Sequence, residues 1–293
     1  MQHPIIIGIL CLAVVFFCAY YPHSTYEIDA CASATLQKSL LPSAQRILEI
    51  LPLRVQISSQ MSQKMPFTEK ALYTAIIVEP RQHPALEFVL KNMCSNLSPE
   101  WNIVIMHGTK NKEYVENIVR SSLKDESYRI TLRDLNVENL TIADYNKLLT
   151  SASFYENNIP TEIFLIFQTD SMICNSDKIH IDDFFEYDYV GAPLAHINGF
   201  VGNGGFSLRK KSKMLEILKK CPYNGSDPED IYFANGCKDA PVNKPSREIA
   251  GKFSNEGEIT EYSFGTHKPW GWGIESQKEK TCKGLDELTK LNV

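Results

Sequence analysis

The sequence predicts an α/β domain with a mostly parallel sheet flanked by helices, and three observations carry that expectation. Short β-rich apolar runs near 72–78, 101–106 and 128–132 alternate with segments whose apolar residues recur at helical spacing. A further apolar run, Ile163-Phe164-Leu165-Ile166-Phe167, leads straight into Gln168-Thr169-Asp170. It reads as a buried strand whose end delivers an acid into a crevice, the place where open α/β sheets bind ligands. Beyond Asp170 the regular alternation lapses, so the second half is expected to be mixed and irregular.

Taken in order, Leu72 to Val78 is the first strand, and Leu86, Val89, Leu90, Met93 and Leu97 mark the helix after it. Trp101 to Met106 is the second strand; Tyr114, Val115, Ile118 and Val119 mark a second helix; Tyr128 to Leu132 is the third strand. This βαβαβ order predicts a Rossmann-like parallel sheet with right-handed crossovers. Thr141, with Asp144 three residues on, caps a helix that carries Tyr145, Leu148, Leu149 and Ala152 inward and leads directly to the Asp170 strand. A short strand near Tyr187 to Val190, a glycine-rich turn entering the strand Phe206-Ser207-Leu208-Arg209, and a helix around Lys211 to Lys219 follow. Pro228 starts another helix and places Glu229 and Asp230 in its first turn, where acids favour the helix dipole.

Composition bounds the rest. With 293 residues and 43% hydrophobic content the chain can bury a substantial core. A net charge of −5 and a pI near 5.8, without a basic stripe, argue against a general nucleic-acid binder. The first 26 residues hold no Asp, Glu, Lys or Arg, and residues 5–21 are apolar apart from Gly8; as a helix they would reach about 25 Å, near the lower limit for crossing a bilayer. Residues 1–21 therefore read as a signal anchor of a single-pass type II membrane protein, or as a cleaved signal peptide with processing near Ala30 to Ala34. Either reading places the body on the lumenal or extracytosolic side, in the Golgi or endoplasmic reticulum of a eukaryote, or secreted if the segment is cleaved. Residues 22–69 read as a stem with a short helix from Pro42 to Leu51, residues 70–278 as one catalytic domain, and 279–293 as a charged, mobile tail.

No two of the eight cysteines show C-x-x-C spacing, so a cysteine zinc site is not expected. Cys221 can pair with Cys237 or Cys282 in an oxidising lumen; buried free thiols are the other reading. Asn139-Leu140-Thr141 and Asn224-Gly225-Ser226 are glycosylation sequons.

Four clusters can carry chemistry. Asp170, at a strand end, can hold Mg²⁺ or Mn²⁺ or simply cap the next turn. His267, in Phe264-Gly265-Thr266-His267-Lys268-Pro269-Trp270, lies in a turn fixed by Gly265 and Pro269; it can join a carboxylate as a metal ligand or serve as a structural histidine, and Lys268 can contact phosphate. Gly202-Asn203-Gly204-Gly205 lacks dinucleotide-fingerprint spacing and reads as a turn that lets a ligand approach the backbone, with Asn203 able to bond sugar hydroxyls. Glu229 and Asp230 are either dipole-favoured helix acids or the source of a general base.

In this order, after a βαβ half, these clusters resemble the GT-A-fold glycosyltransferases, and most closely an uncharacterised glycosyltransferase-like family of that superfamily, over about Leu72 to Trp272. The resemblance implies a single GT-A-like domain whose Gln168-Thr169-Asp170 meets metal and donor diphosphate. It also implies a glycine loop at Gly202 to Gly205, an acid pair at Glu229-Asp230 near the acceptor, and a metal-binding His267. Glu79, Arg81 and Asn146 become candidates for donor contact, together with Asn203, Gly204, Gly205 and Lys268, and Trp270 and Trp272 for stacking on an acceptor sugar. One departure stands out: Gln168 replaces the first acid of the usual D-x-D, leaving Asp170 and His267 as the protein ligands. The activity implied is metal-dependent sugar transfer from a nucleoside diphosphate donor to a hydroxyl on a glycan or glycoprotein, inverting, with Asp230 as base. A glycoside hydrolase, or an inactive glycan-binding surface protein of the same fold, are the alternatives.

Overall fold

The computed structural model describes residues 71–174, 178–194, 199–256, 260–270 and 281–293. The expected anchor, the stem with its short helix, and Trp272 lie outside the described residues. Among the described residues no helix is long and apolar enough to cross a membrane.

The expected parallel half is present. Strands β1 (Tyr73–Glu79), β2 (Trp101–His107), β3 (Ile130–Asp134) and β4 (Ile163–Phe167) all run parallel in the order β3-β2-β1-β4. Helices α1 (Leu86–Asn96) and α2 (Lys112–Ser121) cross between the first three strands. All seven residues of β2 are buried, which is why these strands read as unbroken apolar runs: both sheet faces are covered. Alternate residues sort to two cores. Ala75, Ile77, Ile103, Ile105, Leu165 and Phe167 pack with Leu86, Val89, Leu90 and Met93 of α1. Ile76, Val104, Phe164 and Ile166 pack on the other side with Phe154, Tyr155, Met214, Ile217 and Phe233.

The second half departs from alternation as expected. β7 (Phe206–Lys210) runs antiparallel beside β4, and β6 (Tyr189–Gly191) antiparallel beside β7, which completes a six-stranded sheet. A small sheet of β5 (Ser171–Ile173), β9 (Gly265–His267) and β8 (Ser254–Asn255) stands apart from it. Helices α5 (Lys211–Lys220), α6 (Glu229–Asn235) and α7 (Arg247–Phe253) belong to this half.

Three expectations need correction. The helix capped by Thr141 is α3 (Ile142–Leu149), with both halves of the capping box formed, but it stops before Ala152. Thr150 and Ser151 break it, a separate helix α4 (Ala152–Asn158) follows, and Ala152 is exposed at its start. The third strand begins at Ile130 rather than Tyr128, because Lys124–Arg129 forms a 3₁₀ helix. The charged C-terminal residues are packed rather than free: α8 (Leu285–Asn292) buries Leu285 and Leu288 completely, and Asn292 Nδ2 donates to the Thr169 carbonyl at 3.0 Å.

Disulfides add to this packing. Cys221 pairs with Cys237, one of the pairings the sequence allows, while Cys282 pairs with Cys174 across 108 residues. The free-thiol reading fails for these four and holds for Cys94, which is buried.

Candidate functional site

Strand register assembles the site. Because Phe167 pairs with Phe206, the residues that leave β4 (Gln168 to Asp170) meet the loop that enters β7 (Asn203 to Gly205). Because Ser171 pairs with His267, the end of β9 lies beside Asp170. Because Asn255 pairs in parallel with Thr266, the residue after each, Glu256 and His267, also come together. The result is a cavity of about 430 Å³ at the carboxyl ends of the parallel strands. Glu79, Arg81, Asn146, Gln168, Asp170, Asn203, Gly204, Gly205, Glu229, Asp230, His267 and Lys268 all line it, whereas Trp270, a candidate for stacking on an acceptor sugar, does not and packs against the core instead.

Within it, Asp170 Oδ1 and His267 Nε2 face each other at 3.2 Å as a buried ion pair, and neither atom has a hydrogen-bond partner beyond the other. Buried polar atoms normally carry more partners than one, so two that meet only each other are open to a cation that both could bind. Adjacent ligands of an octahedral ion with bonds of about 2.1 Å lie roughly 3 Å apart, so a carboxylate oxygen and an imidazole nitrogen at this separation suit Mn²⁺ or Mg²⁺. Among the described residues no third His, Cys, Asp or Glu completes a cluster. A bound ion would therefore need further oxygens from a ligand or water.

Electrostatics follow from burial and neighbours. Burial opposes ionisation of Asp170, but His267 and Lys268 outweigh it and hold the carboxyl below its ordinary range. Burial likewise lowers the His267 imidazole, and the carboxylates of Asp170 and Glu256 overcome this, raising it to about 9. Lys268 Nζ lies 4.0 Å from Asp170 Oδ2, and its side chain is half exposed. Its backbone takes a left-handed φ of 42° while its N–H donates to the Asp170 carbonyl at 2.9 Å. A non-glycine residue held there is strained, as is common at ligand sites.

Two glycines are required by close approach. A Cβ on Gly205 would come within 2.1 Å of His267 Nε2, directly over the candidate ligand atom. A Cβ on Gly204 would come within 2.7 Å of both Asp230 Cβ and Glu229 Oε1. The loop holds itself by Gly205 N–H donating to Asn203 Oδ1 (2.9 Å) and Gly204 N–H donating to Asp230 Oδ2 (3.0 Å). The Asn203 side chain, expected to be able to bond sugar hydroxyls, thus has its oxygen engaged within the loop.

The two acids separate cleanly. Asp230 is partly exposed, with Oδ1 accepting from the Ile231 N–H at 2.8 Å. Glu229 is buried, and both its oxygens accept from Arg209 (2.7 and 3.1 Å), whose side chain is fully buried. The expectation that either acid can serve as a base is corrected on that ground: Glu229 is bound up in a buried bidentate pair. Burial pushes its carboxyl upward, and the guanidinium opposes the rise. Asn146 is also structural in part, since its Oδ1 accepts from the Glu229 N–H at 3.2 Å, at the start of α6.

Also on the cavity wall, Glu79 accepts from the N–H, Nε and Nη2 of Arg81 (2.9, 2.8 and 2.8 Å). Fully buried Asn111 clamps this loop by donating to the carbonyls of Glu79 and Arg81. Gln168 donates to Tyr145 Oη at 3.2 Å, so its side chain is directed to α3. Arg209, Asn111 and Glu256 escaped sequence reasoning. Only the single arginine in an apolar strand, Phe206 to Arg209, offered a hint.

A family model described as "Protein of unknown function (DUF5672)" matches residues 129–272, a stretch that holds Asp170, Asp230 and His267. Solved structures of similar fold include the apo form of the glycosyltransferase GlyE from Streptococcus pneumoniae TIGR4, with TM-score 0.47 and 13% identity over 76% of this chain and 63% of that one. The apo bifunctional glycosyltransferase WbbM is similar at TM-score 0.45 and 9% identity, over 78% of this chain and 52% of that one. The mannosyltransferase PcManGT from Pyrobaculum calidifontis, solved with GDP-Man and Mn²⁺, is similar at TM-score 0.42 and 12% identity, over 78% and 69%. The chain thus spans less than two thirds of the length of GlyE and about half that of WbbM. At these values the likeness describes a broadly shared path of the chain and says nothing about chemistry. No curated protein matches the sequence.

Proposed function

We propose that this chain is a metal-assisted glycosyltransferase that moves a sugar from a nucleoside diphosphate donor to a hydroxyl acceptor on a glycan or glycoprotein. The observation that carries the reading is the facing pair Asp170 Oδ1 and His267 Nε2, buried at the carboxyl edge of a parallel sheet with no partner beyond each other, in a cavity that also holds the separate carboxylate of Asp230. Asp170 and His267 would hold Mn²⁺ or Mg²⁺, which when bound neutralises charge on a departing diphosphate. Lys268, half exposed beside Asp170, places a second positive charge near the same oxygens. Glu79 and Arg81 line the same cavity and are the residues we assign to the donor, while Gly204 and Gly205 make room there for Asp230 and His267.

Asp230 removes the proton of the attacking hydroxyl, which makes the transfer inverting; Glu229 is excluded from this role by Arg209. The acid pair therefore does not supply the two opposed carboxylates a glycoside hydrolase needs. The two disulfides among the described residues support a body that matures in an oxidising compartment, with the apolar residues 5–21 as its tether.

A screen of nucleoside diphosphate sugars with and without chelator tests this reading. One donor is expected to release its nucleoside diphosphate only when Mn²⁺ or Mg²⁺ is present. Cleavage of an oligosaccharide with no donor turned over would favour the hydrolase. Sugar binding indifferent to chelator, with no nucleotide released, would favour the inactive glycan-binding protein.

A further inference from the structure

Glu256 lies outside every sequence motif, yet it is the second carboxylate on His267. Its Oε2 is 3.0 Å from His267 Nδ1, while Nε2, on the far side of the ring, faces Asp170. The His267 side chain is 2% exposed, so no water is needed to explain its orientation. The position of Glu256 is itself fixed by what precedes it. Ser254 and Asn255 pair with Gly265 and Thr266, and Asn255 is buried and bonded through its side chain to Gly251 and Thr260. Its carbonyl accepts from Thr266 Oγ1 at 3.1 Å. The strand pairing that carries Glu256 is therefore the pairing that carries His267.

An imidazole offers one nitrogen to a cation only when the other holds its proton, and which nitrogen is free is set by the hydrogen bond on the opposite side of the ring. With the carboxylate of Glu256 on Nδ1, a proton belongs there, so that when the ring gives up a proton to a bound cation it is Nε2 that is freed toward the cavity. Without it the ring can turn over, or take the tautomer that presents N–H to Asp170.

We propose that Glu256 is a positioning residue, which holds the proton of His267 on Nδ1 and so presents Nε2 as a cation ligand opposite Asp170. The proposal rests on the assignment of His267 as a ligand, but its first readout does not. In the metal-free protein, a proton on Nδ1 bonded to a carboxylate gives a downfield imidazole resonance in slow exchange with water. That resonance is expected in the wild type, to move upfield in Glu256→Gln, which keeps an acceptor oxygen without the charge, and to vanish in Glu256→Leu. The second readout is Mn²⁺ affinity, expected to fall about 10- to 100-fold in Glu256→Leu and less in Glu256→Gln. If Glu256→Leu does not fold, Glu256→Gln carries both comparisons. A resonance and an Mn²⁺ affinity unchanged in Glu256→Gln and Glu256→Leu overturn the proposal. If the wild type takes up no Mn²⁺ while the resonance behaves as expected, the positioning of the ring stands and the transferase reading falls.

Discussion

Replacing Asp230 by Asn is expected to lower turnover by roughly 10²- to 10⁴-fold while donor affinity stays near that of the wild type. The expectation comes from the way the two neighbouring acids are held. Glu229 has both oxygens on a buried guanidinium, which ties it up as the partner of Arg209. Asp230 has one oxygen on the Gly204 N–H and the other on the Ile231 N–H, bonds that aim the carboxylate while leaving a lone pair on each oxygen. Asparagine keeps the shape and one of those acceptors but cannot take a proton, so the glycine loop survives and the chemistry does not. Turnover and donor binding are measured separately, with a melting curve to confirm folding. An Asp230→Asn enzyme that binds donor and turns over near normally removes Asp230 as base.

The second large effect is on stability. Arg209→Met is expected to destabilise the fold by about 3–5 kcal/mol, because it leaves the carboxylate of Glu229 buried without its partner. The arginine is held on every side: Nε donates to Ser207 Oγ at 2.9 Å, and the guanidinium lies 4.6 Å from the centre of the Tyr189 ring. Removing both charges in Arg209→Met/Glu229→Gln should recover much of the loss, since the cost lies in the unpaired charge rather than in the missing contact. Denaturant unfolding of both variants measures this. A single variant within about 1 kcal/mol of the wild type would mean that the pair is not a structural anchor for α6.

How much of this was legible in the sequence depended on whether a feature was local. Strands β1, β2 and β4 were legible because both their faces are covered, so each reads as a continuous apolar run. The capping box of Thr141 and Asp144 was legible because its two halves are three residues apart. Residues 281–293 misled because their charge pattern is that of a solvated tail, while their hold on the body comes from a disulfide partner 108 residues away. The candidate site divides in the same way. Asp170 stands out at a strand end and His267 in its glycine- and proline-flanked motif; the turn expected around His267 is instead the end of strand β9, and register brings the two together. Glu256 was invisible because it follows a strand of only two residues. The role of Glu229 was misjudged because the arginine that claims it lies twenty residues earlier on another element.

The central claim is that Asp170 and His267 hold one divalent ion, and Mn²⁺ titration followed by electron paramagnetic resonance, in the presence of a nucleoside diphosphate, tests it most directly. One bound ion per chain is expected in the wild type, with affinity at least roughly tenfold weaker in Asp170→Asn and in His267→Ala. Binding of Mn²⁺ by both variants as tightly as by the wild type would contradict it.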